Sequence, residues 1–200
     1  MRGAGNIIDV AALKPDYMGF IFYEKSKRFV GNKFSIPGKF PLEIKRVGVF
    51  VNDNTEKILN VVSKHELDYV QLHGDETPTV CMTLKTNKIG VIKVFSVDTS
   101  FDFELTKPYQ EYSDFFLFDT KSENYGGTGK SFDWSLLKMY NQQIPFFLSG
   151  GISIENLHSI NELKGMNLHA IDVNSGVETT PGLKEMAKVK SIMNNLNSNF

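Results

Sequence analysis

Seven short apolar runs rich in Val, Ile and Phe recur along the chain, at residues 17–23, 46–51, 68–73, 90–95, 114–119, 144–150 and 168–173. They are mostly continuous rather than alternating, which is the pattern of strands buried on both faces. Between them, 54–67, 134–142, 153–163 and 182–196 carry apolar residues at helical spacing. Successive runs begin roughly 20 to 30 residues apart, room for one strand, one helix and two loops, and crossovers of that length make neighbouring strands parallel. The pattern therefore predicts one α/β domain over 1–200, closed as a (β/α)8 TIM barrel or left open as a doubly wound sheet. No GxGxxG follows the first strand, which favours the barrel.

A barrel needs eight strands, and the pattern supplies seven. The chain opens on a helix candidate, "GNIIDVAALK" (5–14), where a first strand belongs. Seven strands are expected, with raw edges at 17–23 and 168–173 whose unpaired backbone groups invite pairing with another chain. The sequence does not set an oligomeric state.

Composition narrows the chemistry. The chain is 41% hydrophobic and 22% charged with a formal net charge of -1, so it has no broad basic field, and no nucleic-acid partner is expected. One cysteine, Cys81, excludes an intramolecular disulfide and a cysteine metal cluster. No apolar run is long enough for a membrane span, and "MRGAGNIIDV" lacks the apolar region of a secretory signal. These readings predict a cytoplasmic protein with no membrane partner and no cysteine-held metal.

In a (β/α)8 barrel the active site lies at the carboxyl ends of the strands, so the residues just after each apolar run matter most. "SGGISIENL" follows the sixth run, with Gly150 and Gly151 before a helix expected near Ser153. "NSGVETTPGLK" follows the seventh, with Asn174, Ser175 and Gly176. A capped tight turn accounts for either loop alone; the pair on neighbouring strands points to phosphate held by backbone amides. Asp119 ends the fifth run, where a carboxylate meets converging loops and can be tuned for proton transfer, or can simply accept hydrogen bonds from loop amides. Arg28 follows the first run and can grip a carboxylate or phosphate, or belong to a solvated basic loop. His73 ends the third and can bind substrate, exchange protons or serve as a structural hydrogen-bonder. "ENYGGTGKSFDW" (123–134) resembles a nucleotide-binding P-loop, but Asn124 occupies the position of the required first glycine. Its Gly126, Gly127 and Gly129 allow close approach to a small ligand, or a flexible surface loop.

Together "GFIFYEKSKRFV", "RVGVFVN", "VQLHGDE", "LFDTKSENYGGTGKSFDW", "LSGGISIENL" and "DVNSGVETTPGLK" resemble phosphoribosylanthranilate isomerase, six motifs in order over nearly the whole chain. The resemblance implies a (β/α)8 enzyme of tryptophan biosynthesis. It would catalyse a cofactor-free Amadori rearrangement of a phosphosugar substrate, N-(5′-phosphoribosyl)anthranilate, to the carboxyphenylamino-deoxyribulose phosphate. It implies Asp119 as the general acid that opens the ribose ring, Arg28 near the anthranilate carboxylate, and Gly150, Gly151, Asn174, Ser175 and Gly176 around the phosphate. The loop from Gly126 to Ser131, with Gly127, would cover the sugar.

One element of the resemblance has no counterpart. The family's general base is a cysteine in a K-[IV]-C-G motif ending the first strand, and "MRGAGNII" resembles the segment just after that motif. Cys81 sits in a helix candidate after the 68–73 run and resembles a structural position; His73 and Asp172 are the weak candidates for the base. The expectation is a chain that starts late and turns over poorly, with a non-catalytic phosphosugar-binding barrel as the alternative.

Overall fold

The computed structural model describes residues 1–120 and 132–199. Seven parallel strands form one sheet in chain order: β1 (Tyr17–Ile21), β2 (Lys45–Phe50), β3 (Tyr69–Leu72), β4 (Gly90–Val97), β5 (Phe115–Thr120), β6 (Phe146–Leu148) and β7 (Leu168–Ile171). All seven predicted runs become strands. Their registers run without interruption from Tyr17↔Lys45 to Phe118↔Leu148, and the ladder shifts only between β6 and β7, at Phe146/Phe147.

The sheet curls until its first and last strands face one another. Val47, Ile92, Val94, Leu117 and Phe147 form an inner cluster joined by Tyr17, Tyr69, Phe115 and Ala170, so every strand contributes to it. Such an interior belongs to a (β/α)8-type barrel, whose centre is packed side chains rather than a pore. Among the described residues β1 and β7 share no ladder. Side chains span the seam instead: at the amino-terminal end the Tyr17 hydroxyl lies 2.8 Å from His169 Nε2, with ring centroids 5.8 Å apart. The expected edges are present, but they are bridged within the chain.

The outer layer begins with α1 (Ala4–Ala11), which buries Ile7, Val10 and Ala11 on one face. The Asn6 side-chain amide donates to the Lys184 carbonyl at 2.9 Å and accepts from the Lys184 amide at 2.8 Å, tying the first helix to the last part of the chain. In α2 (Thr55–His65) Asn54 caps the start by accepting from the Lys57 amide at 2.7 Å, and Glu66 ends the helix in the left-handed region at φ 50°. Pro78 opens α3 (Pro78–Thr86), where its missing N–H costs nothing. Among the described residues the layer after β4 and β5 has 3-10 segments, Phe103–Tyr112 and Trp134–Met139; the first was not anticipated, and the second is shorter than the 134–142 helix expected.

Two more expected helices start late. Helical structure in 153–163 begins at Leu157, because Asn156 folds back to accept from the Ser153 amide at 2.9 Å and to donate to the Gly151 carbonyl at 2.9 Å. In 182–196, Leu183–Lys184 forms β9 of a small antiparallel ribbon with β8 (Glu178–Thr180), and α4 (Met186–Asn199) follows.

His65 is buried at the end of α2 against the rings of Phe22 and Phe34, at centroid distances of 5.2 and 5.5 Å. Burial holds its pKa below the ordinary value of 6.5, with Lys64 adding to the effect. The folded state therefore binds fewer protons than the unfolded chain once pH falls below about 6.5, and this stability is lost progressively through the lower folded value. The midpoint of urea unfolding should fall as pH drops from 7 to 5, and fall less steeply in His65→Phe. Identical pH dependence in the two proteins would contradict the assignment.

Candidate active site

Strand alternation sends one set of side chains inward, and at the carboxyl ends of alternate strands those positions hold His73 after β3, Asp119 on β5 and Asp172 after β7. All three line a cavity of about 780 Å³, together with Arg28, Gln71, Ser149, Gly150, Gly151, Asn174, Ser175 and Lys184. The sequence-predicted residues Asp119, Arg28, His73, Gly150, Gly151, Asn174 and Ser175 thus come together at one rim. Gly127, with Gly126, Gly129 and Ser131, lies outside the described residues.

Asp119 is buried and doubly engaged. Its Oδ1 accepts from the Thr120 amide at 2.8 Å, and its Oδ2 lies 3.3 Å from His73 Nε2. Asp172 is the other carboxyl of the mouth. Burial pushes its pKa above the ordinary range, the charge of Asp119 pushes it further, and Lys184 and His73 pull the other way. The Ser149 hydroxyl donates to Asp172 Oδ2 at 3.4 Å. A carboxyl kept protonated more readily by its surroundings, beside a second carboxyl on the same rim, is an arrangement that suits proton transfer.

The two glycine turns abut each other and the acid. Gly150, at φ +89°, is so close to the end of β5 that a Cβ there would lie 2.2 Å from Thr120 Oγ1 and 2.9 Å from Asp119 Oδ1. A Cβ on Gly176 would lie 2.1 Å from the Ile152 carbonyl oxygen. Only glycine allows these approaches. Among the described residues no backbone hydrogen bond takes up the amides of Gly150, Gly151 or Gly176. The Ser153 amide, by contrast, is taken up by Asn156, so the helix start expected near Ser153 does not offer that amide to an anion.

Arg28 and Asn174 meet through two residues that sequence reasoning missed. Arg28 Nε donates to both Glu178 carboxylate oxygens at 2.9 and 3.0 Å, and its Nη2 lies 2.8 Å from Oε2. Lys184 Nζ donates to Glu178 Oε1 at 3.2 Å, to Asn174 Oδ1 at 2.6 Å and to the Asn174 carbonyl at 2.8 Å. Burial opposes ionisation of Glu178, but the Arg28 hydrogen bonds and the Lys184 charge outweigh it and leave its pKa below the usual value. Burial likewise lowers the pKa of Lys184, against the pull of Glu178. The guanidinium edge expected to grip a ligand is thus already occupied by a protein carboxylate.

The turn carrying His73 is braced from behind. Glu76 accepts from the amides of Asn52 at 2.8 Å and Gly74 at 3.0 Å, and Lys93, 2% exposed, donates to Glu76 Oε2 at 2.9 Å and to the Gly74 carbonyl at 2.6 Å. Nothing in the motif "VQLHGDE" announces the lysine that completes this brace from β4. Cys81 is buried in α3, outside the cavity lining, and burial pushes its thiol up to about 11, a poor state for a base. Among the described residues no group of His, Cys, Asp and Glu is placed to hold a metal ion, and no helix is long and apolar enough to cross a membrane.

Titratable groups and close-packed glycine turns gathered at the carboxyl rim of a parallel barrel define the chain as a member of the (β/α)8-barrel enzyme class. A model of the family described as N-(5′-phosphoribosyl)anthranilate (PRA) isomerase matches residues 2–195. N-(5′-phosphoribosyl)anthranilate isomerase from Parabacteroides distasonis is 46% identical over 196 residues, covering 96% of this chain and 89% of that protein. Its counterpart from Thermotoga maritima is 41% identical over 183 residues, covering 90% and 87%. The crystal structure of the Thermotoga maritima isomerase superposes with a TM-score of 0.88 at 37% identity, covering 99% of this chain and 96% of that one. A phosphoribosylanthranilate isomerase solved in complex with reduced 1-(o-carboxyphenylamino)-1-deoxyribulose 5-phosphate gives 0.84 at 34% identity, with coverage of 99% and 95%. The chain belongs to the phosphoribosylanthranilate isomerase family.

This geometry makes two outcomes measurable. Glu178→Gln keeps the shape but leaves two cations without their counter-charge, and should cost about 3 kcal/mol in urea unfolding; a change below about 0.5 kcal/mol would mean the cluster is idle. Gly176→Ala drives a methyl into the Ile152 carbonyl and should separate the turns, at about 1 to 3 kcal/mol. Calorimetric titration with a phosphosugar analogue should then show affinity down by about tenfold or more, and unchanged affinity would remove these turns from the phosphate site.

Proposed function

We propose that the chain performs the Amadori rearrangement of N-(5′-phosphoribosyl)anthranilate, acting in the cytoplasm without a cofactor. The phosphate rests on the amides of Gly150, Gly151 and Gly176, flanked by Asn174 and Ser175. Arg28 is held by Glu178 with its Nη1 directed to the anthranilate carboxylate, and His73 contacts the substrate beside Asp119. Gly127 falls in the segment proposed to cover the sugar.

Asp119 is the general acid. It protonates the ribose ring oxygen as the C1′–O bond breaks, and its carboxylate is then stabilised by the Thr120 amide and by His73. A second group must take the C2′ proton so that the enolamine forms, and that role is assigned to none of the described residues. The observation that carries the reading is the contact of Gly150 with both Asp119 and Thr120, which sets an anion-facing turn directly against the acid.

Asp119→Asn should lower kcat by about 10² to 10⁴ in a coupled assay of phosphoribosylanthranilate conversion, while affinity for the reduced product analogue stays within a few fold. Equal rates for variant and parent would remove Asp119 from the mechanism. A parent that binds the analogue yet shows no turnover would favour the non-catalytic phosphosugar-binding barrel.

A further inference from the structure

We propose that Gln71 is a positioning residue that fixes the tautomer of His73 and so directs the transferable proton to Asp119. The inference rests on the reading of Asp119 as the acid, and it concerns a residue to which the family resemblance gives no role.

Gln71 lies on β3 two residues before His73, so both side chains fall on the inner face of the same strand. It is 7% exposed, and its amide nitrogen is 3.1 Å from His73 Nδ1. An amide NH2 donates and cannot accept. With this orientation Nδ1 must present its lone pair, and the ring proton belongs on Nε2, the nitrogen 3.3 Å from Asp119 Oδ2. Asp119 then meets one N–H at each oxygen, from Thr120 at Oδ1 and from His73 at Oδ2.

A further proton arriving at the pair has two destinations. On Nδ1 it would set an N–H against the amide N–H of Gln71. On Asp119 it meets no such opposition, so the contact with Gln71 biases that proton toward the carboxyl. When Asp119 gives up that proton to the ring oxygen, the bonding pair of the cleaved C–O bond stays on that oxygen, and the two N–H groups receive the carboxylate. Among the described residues the other charged or titratable groups of the mouth are Asp172, Lys184 and Arg28, the last two engaged by Glu178. Glu76 beyond the turn is directed to Lys93, and among the described residues Asp119 and Gln71 are the polar side chains that meet the ring nitrogens.

The test is ¹⁵N-resolved NMR of the imidazoles, with His73 assigned by its loss in His73→Asn. The parent near pH 7.5 should show a bare Nδ1 and a protonated Nε2. Gln71→Glu replaces the donor with a carboxylate, and should move the proton to Nδ1 or raise the pKa of His73 by about one unit or more. Gln71→Met should give mixed tautomers. In the coupled assay the acidic limb of the kcat profile should move in Gln71→Glu while KM changes by less than about threefold. A protonated Nδ1 in the parent, as a reversed Gln71 amide would require, overturns the inference whether or not any variant folds. Undiminished turnover in Asp119→Asn would instead overturn the acid reading, and the delivery of the proton with it.

Discussion

The mouth of this barrel depends on a cluster of buried charges that spans a seam without a ladder. β1 and β7 exchange no backbone hydrogen bonds among the described residues, yet the loop after β1 and the ribbon after β7 are joined by the Arg28 fork on Glu178. Lys184 bonds the same carboxylate and reaches back to Asn174, while its own backbone is paired with Asn6. Buried charges are costly to desolvate, and the cluster is tolerable because its charges meet counter-charges and shared hydrogen bonds. Its consequence is positional: Arg28, Asn174 and Ser175 are presented to one cavity, although among the described residues their parent strands do not pair with each other.

The rest of the rim is set by close backbone approach. Gly150 brings the turn after β6 against Asp119, and Gly176 seats the next turn on Ile152. Side chains larger than hydrogen would open both contacts, so the glycines set the spacing between the turns and Asp119, the proposed anion seat and proton donor. Behind the third strand the Lys93–Glu76 pair holds the backbone around Gly74, and this keeps the histidine next to the acid. Rigid supports outside the cavity thus determine geometry inside it.

Much of this was legible in the sequence. Continuous Val, Ile and Phe runs can be read as buried parallel strands without knowing their partners, and residues at their carboxyl ends are candidates because of where a barrel places them. Asp119, Arg28 and both glycine turns emerged in that way. Glu178 and Lys184 did not, since a carboxylate and a lysine in a polar loop read as solvated until the fold buries them together. Lys93 interrupts an apolar run, and its partner lies 17 residues earlier, in the loop after β3. Gln71 stood inside the motif "VQLHGDE", but only the strand's two-residue period and the distance to Nδ1 give it a task. The late helix starts had local causes: Asn156 took up the first turn after β6, and the chain made a ribbon before α4.

Phosphate and acid must share one rim for this chemistry to work. The most direct measurement is the crystal structure of this chain bound to reduced 1-(o-carboxyphenylamino)-1-deoxyribulose 5-phosphate. The phosphate should lie within hydrogen-bond distance of the amides of Gly151 and Gly176, with the sugar chain passing under Asp119 and the carboxylate toward Arg28. A phosphate seated anywhere else, such as the aromatic end of the barrel beside Tyr17 and His169, would contradict it.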